Sequence, residues 1–264
     1  MSDALIGYTG FVGSTLLKQH SFEHKFRSVN INDIDGCEFE TVVCAAAPAQ
    51  KWIANREPDA DRNNIEELIA HLKTIKCKIF VLISTVDVFK SPVGVNEDTG
   101  VDESGLHPYG LHRHMLEKFI ETHFNSRLIV RLPGLVGPRL RKNVIFDFLN
   151  DNNLNVIESR GVFQFYPMVN LWGDIQIALE SGLKLVHFAA EPIAVAELSL
   201  AGFGKAFNQT LVNPPATYDL QSKYASIFGG RGAYQYSKRE TIQAVRAYAQ
   251  SEPISIKIEG EQVT

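Results

Sequence analysis

The sequence predicts an α/β protein built around a parallel β-sheet. Three observations carry that prediction. Apolar runs of strand length alternate with stretches of helical periodicity, the run at 79–83 is apolar throughout and that at 41–45 is so after Thr41, and the alternation begins within the first residues. A strand covered on both faces needs a continuous apolar run, and parallel pairing needs a helix between successive strands.

In chain order, Ala4-Leu5-Ile6 reads as the first strand and about 11–20 as a helix. The second strand is expected at 26–31. Thr41-Val42-Val43-Cys44-Ala45 is a buried strand. Residues 59–75 have helical periodicity, with Ile65, Leu68, Ile69 and Leu72 on one face. The run Ile79-Phe80-Val81-Leu82-Ile83 makes 78–84 a strand, 109–124 reads as a helix, and 127–132 is a strand stopped by Pro133-Gly134. Beyond about residue 140 the pattern is less regular. Helices are expected at 144–149, 171–181 and 240–250, a strand at 184–188, and a loop at Pro214-Pro215. The expected organisation is a dinucleotide-type sheet domain over 1–140 and a smaller lobe over 141–264 that returns some segments to the sheet.

The 264 residues suit one large domain, or one with a small appendage. Hydrophobic residues at 45% and charged residues at 21% are ordinary for a soluble globular protein. A net charge of -4 with no basic run gives nucleic-acid binding no electrostatic support. Cys37, Cys44 and Cys77 have neither metal spacing nor an even framework, and read as reduced thiols. No apolar stretch reaches the roughly 18 residues of a membrane helix, and a glycine turn interrupts the N-terminus where a signal segment would run. The expectation is a cytoplasmic protein without metal, membrane or nucleic-acid partner.

The run Gly7-Tyr8-Thr9-Gly10-Phe11-Val12-Gly13 is GxxGxxG between a strand and a helix. Glycines permit the tight turn and close backbone approach, and the helix N-terminus then faces a pyrophosphate. Inside an alternating α/β pattern this predicts a Rossmann-type doubly wound parallel sheet with a small C-terminal substrate lobe, binding NAD or NADP. The adenine ribose is expected at the end of the second strand, near Arg27, Ser28 and Asn30. Asp33 and Asp35 belong to the next turn. An Arg suits a 2′-phosphate and an acid suits a free 2′-hydroxyl, so the choice of cofactor stays open.

Two further motifs follow: Ser84-Thr85-Val86-Asp87-Val88-Phe89 at a strand end, and Tyr109-Gly110-Leu111-His112-Arg113 with a later Glu117. With the glycine turn, in this order and spacing, they resemble the extended short-chain dehydrogenase/reductase family, the NAD-dependent epimerase/dehydratase group. The segment 131–138 resembles that family's R-x-x-x-x-[YF]-G-P, with Val136 for the aromatic. The segment 165–171 resembles its V-x-D-L element, with Asn170 for the acid. The resemblance covers roughly residues 1 to 200 and is nearest to sugar-nucleotide reductases and epimerases, with a reduced substrate lobe. It implies a homodimer formed through the helices at 59–75 and 109–124.

The resemblance also implies roles. Tyr109 is the acid/base, Thr85 shares the substrate oxygen, and Arg113 stands where the family has a ribose-binding Lys. The cofactor contacts are Gly7, Thr9, Gly10, Phe11, Val12, Gly13, Arg27, Ser28, Asn30, Ala45, Ala46, Ala47, Tyr109, Arg113 and Pro133. A phenol of pKa about 10 must come down by about 2 to 3 to act as a base near neutrality, which takes about 3 to 4 kcal/mol. Arginine supplies charge and donors but cannot give up a proton, so His112 is the candidate replacement relay. The family's dehydratases carry two acids after the Thr. Here the first is Val86, which favours reduction or epimerisation over dehydration.

The other residues read more plainly. His107, His112 and His114 lack the i, i+4 spacing of helical metal ligands. Trp52, Trp172, Gln164 and Tyr166 are candidates for the substrate cleft, though aromatic residues are more often core. The cluster at 59–62 reads as solvated surface, and the one at 139–142 as surface or a diphosphate contact. Two rival functions remain: a non-catalytic dinucleotide-binding sensor or scaffold, and a reductase of a small non-nucleotide carbonyl.

Overall fold

The computed structural model describes residues 2–253. The chain opens with β1 (Ala4–Ile6), α1 (Phe11–Gln19), β2 (His24–Phe26) and β3 (Glu38–Cys44). Then come α2 (Lys51–Arg56), α3 (Pro58–Leu72), β4 (Lys76–Thr85), β5 (Val93–Val95), α4 (Pro108–His123) and β6 (Arg127–Leu132). The second half holds β7 (Gly134–Val136), α5 (Val144–Asn150), β8 (Val162–Phe163), β9 (Phe165–Pro167) and α6 (Leu171–Glu180). It continues through β10 (Leu185–His187), β11 (Ile193–Ala194), α7 (Val195–Phe203), β12 (Asp219–Leu220) and α8 (Lys238–Ser251).

Six strands form one sheet in the order β10-β6-β4-β3-β1-β2, and every adjacent pair is parallel. The continuous apolar run of β4 is used on both faces. Phe80 and Leu82 pack with Ile65, Leu68 and Leu72 of α3 and Leu116 and Ile120 of α4. Val81 and Ile83 pack with Leu16 of α1 and Leu171, Ile175 and Ala178 of α6. Strand period and helix faces together give three layers. From β1 the chain passes to β2 on one side and then crosses to β3 on the other, so the order reverses between β1 and β3. A crevice opens at the carboxyl ends of the strands at such a reversal.

The second half returns to the first: β10 pairs with β6, and α6 covers the sheet beside α1. Its own core joins α5, α7 and α8 through Ile145, Phe148, Leu198, Val245 and Tyr248, in contact with Val136 and Phe165 of the β7–β9 pair. Residues 254–264, the end of the expected second lobe, lie outside the described residues.

One expectation needs correction. The second strand is His24–Phe26, not 26–31, because the chain turns at once: the Asn30 N–H donates to the Arg27 carbonyl (3.0 Å) and the Asn30 side chain accepts from the Arg27 N–H (2.8 Å). Local side-chain bonding of this kind competes with a strand ladder. The helices α2 and α7 were not anticipated. Asn170 is half-buried ahead of α6, while the acid engaged in the core is Asp174, which accepts from Tyr166 (2.6 Å) and Tyr236 (2.8 Å).

Candidate active site

A cleft of about 1280 Å³ runs along the carboxyl ends of the sheet strands, from β2 past β1 and β3 to β4 and β6. The three glycines of the first turn serve three purposes. Gly7 has φ +84, and a side chain there would lie 2.4 Å from the Ala45 carbonyl. A Cβ on Gly13 would lie 2.2 Å from the Gly7 carbonyl, so Gly13 lets α1 pack on the strand end. Gly10 has an ordinary φ of -70, and its Cβ would meet only the Gly7 carbonyl at 3.5 Å. Nothing inside the protein requires glycine at position 10. What its missing side chain leaves free is cleft. Gly10 also caps α1 without a side-chain bond, and the first turn carries no acid, so the positive helix end is open to an anion.

Of the expected cofactor residues, Gly7, Thr9, Gly10, Phe11, Val12, Arg27, Ser28, Ala45, Ala46, Ala47, Tyr109, Arg113 and Pro133 line this one cleft, and so does Thr85. Gly13 and Asn30 do not. Gly13 is packed under the turn, and Asn30 spends its side chain on the turn after β2, donating also to the Lys25 carbonyl (3.1 Å).

At the other end, α4 brings Tyr109 to the end of β4. His107 caps the helix by accepting from the Gly110 N–H (3.0 Å), Pro108 fills the first turn, and Asn55 accepts from the Tyr109 N–H (3.0 Å). A Cβ on Gly110 would lie 2.0 Å from the Asp87 carbonyl. Gly110 therefore sets the close approach that joins Tyr109 to Thr85. Tyr109 is 8% exposed. Burial raises its pKa above the ordinary 10; Arg113 pulls the other way, Asp87 adds to the rise, and Thr85 (through a hydrogen bond) and Lys51 oppose it, but the net effect is upward. The phenol is thus kept protonated near neutrality, although the Arg113 cation beside it favours the phenolate.

Arg113 is 3% exposed and lies over the Tyr109 ring, 4.1 Å from its centroid. One terminal nitrogen donates to Asp61 and the other to the Pro48 carbonyl. Its Nε is buried with no hydrogen-bond partner among the described residues. The acid cluster at 59–62 was expected on the surface, yet Asp61 is 5% exposed because it neutralises Arg113. His112 gives its Nδ1 to the same carboxylate (2.7 Å) and does not line the cleft, so it is not placed to relay a proton to Tyr109. Beneath the site, Glu117 accepts from Ser84 (2.5 Å) and from Arg131 (2.6 and 3.0 Å). Burial raises its pKa, but His114, Arg131 and Ser84 outweigh that and hold it below the usual value.

Sequence reasoning missed the cluster facing Tyr109. Lys51 donates to Asp87 (2.7 Å), and Tyr218 donates to the same oxygen (3.3 Å). Lys142, from the expected 139–142 cluster, reaches across to the Ala49 carbonyl. Burial, with Arg113 nearby, lowers its pKa although Asp87 pulls upward. Of the expected cleft residues, Gln164 lines the cleft, with its amide bonded to the Ala190 (2.6 Å) and Leu220 (2.8 Å) carbonyls, whereas Tyr166 does not and is spent on Asp174. Trp172 stacks on His20, and Trp52, 63% exposed, stands beside the cleft mouth. Among the described residues no helix is long and apolar enough to cross a membrane.

No family model matches the sequence, and no curated protein sequence matches it. Solved structures do. One is a dTDP-4-dehydrorhamnose reductase ortholog from Clostridium acetobutylicum, with TM-score 0.74, 15% identity, and 95% of this chain and 99% of that one covered. A second is the Bordetella bronchiseptica enzyme WbmG in complex with NAD and UDP, with TM-score 0.73, 16% identity, and 94% and 93% covered. A third is a UDP-galactose 4-epimerase, with TM-score 0.69, 18% identity, and 95% and 98% covered. Over nearly its whole length, the chain has the Rossmann-type α/β fold of these structures.

Proposed function

We propose that this chain is an NAD(P)-dependent oxidoreductase of the extended short-chain dehydrogenase/reductase type, acting on a keto or hydroxyl group of a sugar nucleotide. One observation carries the reading: a single cleft begins at an open glycine turn and ends at a buried Tyr109 with Thr85 beside it. The residues fit a dinucleotide. Gly10 leaves room where backbone must meet phosphate, the α1 N-terminus is free for the anion, and the orphaned Nε of Arg113 is a donor suited to a ribose hydroxyl. The ligands named for the neighbours, NAD and UDP in one case and UDP-glucuronic acid and NAD in another, support this assignment.

The dinucleotide, when bound, exchanges a hydride with the substrate carbon. Tyr109 holds the matching proton. Protonated near neutrality, it donates to the carbonyl oxygen as that oxygen gains charge, with Thr85 donating to the same atom. A ready acid favours reduction over oxidation. Arg113 holds the Pro48 carbonyl and thereby the loop after β3, while its charge is shared with Asp61. Lys142 and Arg139 give the substrate end positive charge for a diphosphate, Lys51 being paired with Asp87. The proposal includes a homodimer through α3 and α4, in a protein working in the cytoplasm.

The rival reading, a non-catalytic dinucleotide-binding protein, draws on the engagement of both terminal nitrogens of Arg113. The test is reduced-dinucleotide oxidation across a panel of keto sugar nucleotides. The proposal expects turnover by the wild type and a loss of about 10²-fold or more in Tyr109→Phe. Wild type and variant equally inert, both still binding dinucleotide, would favour the rival.

A further inference from the structure

The β2 end of the cleft has a chemistry of its own. β2 stops at Phe26, and Arg27 and Ser28, the next two residues, both line the cleft. Asn30 fixes this corner by bonding the Arg27 N–H (2.8 Å) and the Lys25 carbonyl (3.1 Å) with its side chain. The backbone that carries Arg27 is therefore held, while its guanidinium has no hydrogen bond or ion pair among the described residues. Arg113, Arg131 and Arg160, by contrast, each hold a carboxylate.

The acids that follow β2 are directed elsewhere. Asp35 accepts from His71 (2.8 Å) and Thr74 (3.2 Å), and neither Asp33 nor Asp35 lines the cleft. Glu67 is the carboxylate that does line this end, and it comes from α3, not from the strand end. A ribose with a free 2′-hydroxyl is held by an acceptor at the strand end, whereas a 2′-phosphate needs cationic donors there and is repelled by an acid. The strand end offers an unengaged guanidinium and a hydroxyl.

We infer, resting on the dinucleotide reading of the cleft, that this chain selects NADP(H) over NAD(H), with Arg27 and Ser28 as the recognition group for the 2′-phosphate. A guanidinium fork matches a phosphomonoester dianion, and its contribution weakens with salt.

Calorimetric titration of the whole chain with NADPH and with NADH tests this. The expected result is NADPH binding at least about tenfold tighter, a difference of about 1.4 kcal/mol. Arg27→Ala should bring the two affinities within about twofold of each other by weakening NADPH alone, and Arg27→Asp should make NADH the tighter ligand. Arg27 is exposed and unpartnered, so neither change threatens the fold. Equal affinities in the wild type, a preference for NADH, or a ratio that Arg27→Ala leaves unchanged overturns the inference while sparing the dinucleotide reading. Binding of neither compound overturns both.

Discussion

The two ends of the cleft are built in different ways. The turn after β1 is made of backbone: three glycines within seven residues shape it, and its fit to an anion comes from a helix end and an absent side chain. The end around Tyr109 is made of side chains brought from far apart. Asp61 of α3 neutralises Arg113 of α4, Lys51 of α2 neutralises Asp87 after β4, and Asn55 holds the Tyr109 backbone. The first end depends on Gly7 and Gly13, where a Cβ would lie within 2.4 Å of a backbone carbonyl. The second couples binding chemistry to the stability of the fold, because its Arg113–Asp61 pair is buried.

The largest expected effect follows from that coupling. Asp61→Asn leaves the Arg113 guanidinium buried without its counter-ion. Chemical denaturation should then show a loss of about 3 to 5 kcal/mol. The glycine turn makes no hydrogen bond or ion pair with either residue among the described residues, so the part of dinucleotide affinity that comes from the pyrophosphate should survive. A loss of stability below about 1 kcal/mol would mean the two ends are built alike.

The pH dependence sharpens the same contrast. Tyr109 must be protonated to act as the acid, and burial holds its pKa above the ordinary 10. Reduction should therefore show no loss from this group as pH rises through neutrality, and should decline only as pH climbs through its raised pKa. A rate profile with a limb near pH 7 that Tyr109→Phe abolishes would contradict the assignment.

Arg113→Lys is a smaller test. One ammonium cannot replace a fork that reaches both Asp61 and the Pro48 carbonyl, so one bond is lost, at about 1 to 2 kcal/mol by thermal denaturation, and turnover should remain measurable. Smaller still, Asn30→Ala should cost about 1 kcal/mol, through the turn after β2 and not through direct contact with ribose. A stability equal to wild type with dinucleotide affinity greatly reduced would return Asn30 to the ribose.

Legibility in the sequence follows the same division. The turn at Gly7–Gly13 is local, and strand, glycines and helix all lie between Ala4 and Gln19, so the motif is the site. The sheet was legible because its inner strands are apolar on both faces. The catalytic end was legible only as far as its own motifs reach, Ser84-Thr85 and Tyr109 to Arg113. Asp61 lies in a run of charges that looks like solvated surface, and nothing nearby in sequence says that an arginine more than fifty residues on will bury it. Lys51 and Tyr218 meet at Asp87 from distant parts of the chain. The segment 26–31 misled for a local reason: Val29 and Ile31 suit a strand, but the Asn30 side chain closes a turn.

The central claim is that the cleft holds a nicotinamide dinucleotide with its pyrophosphate at Gly10. The most direct measurement is calorimetric binding of the dinucleotide to the wild type and to Gly10→Val. The backbone at position 10 has φ -70, and its Cβ would meet only one atom, at 3.5 Å, so the variant should keep the circular dichroism of the folded chain. Its branched side chain would stand where phosphate must approach backbone. The account predicts binding by the wild type and a loss of at least about 100-fold in the variant, equivalent to about 2.8 kcal/mol; a folded variant that binds as tightly as the wild type would contradict it.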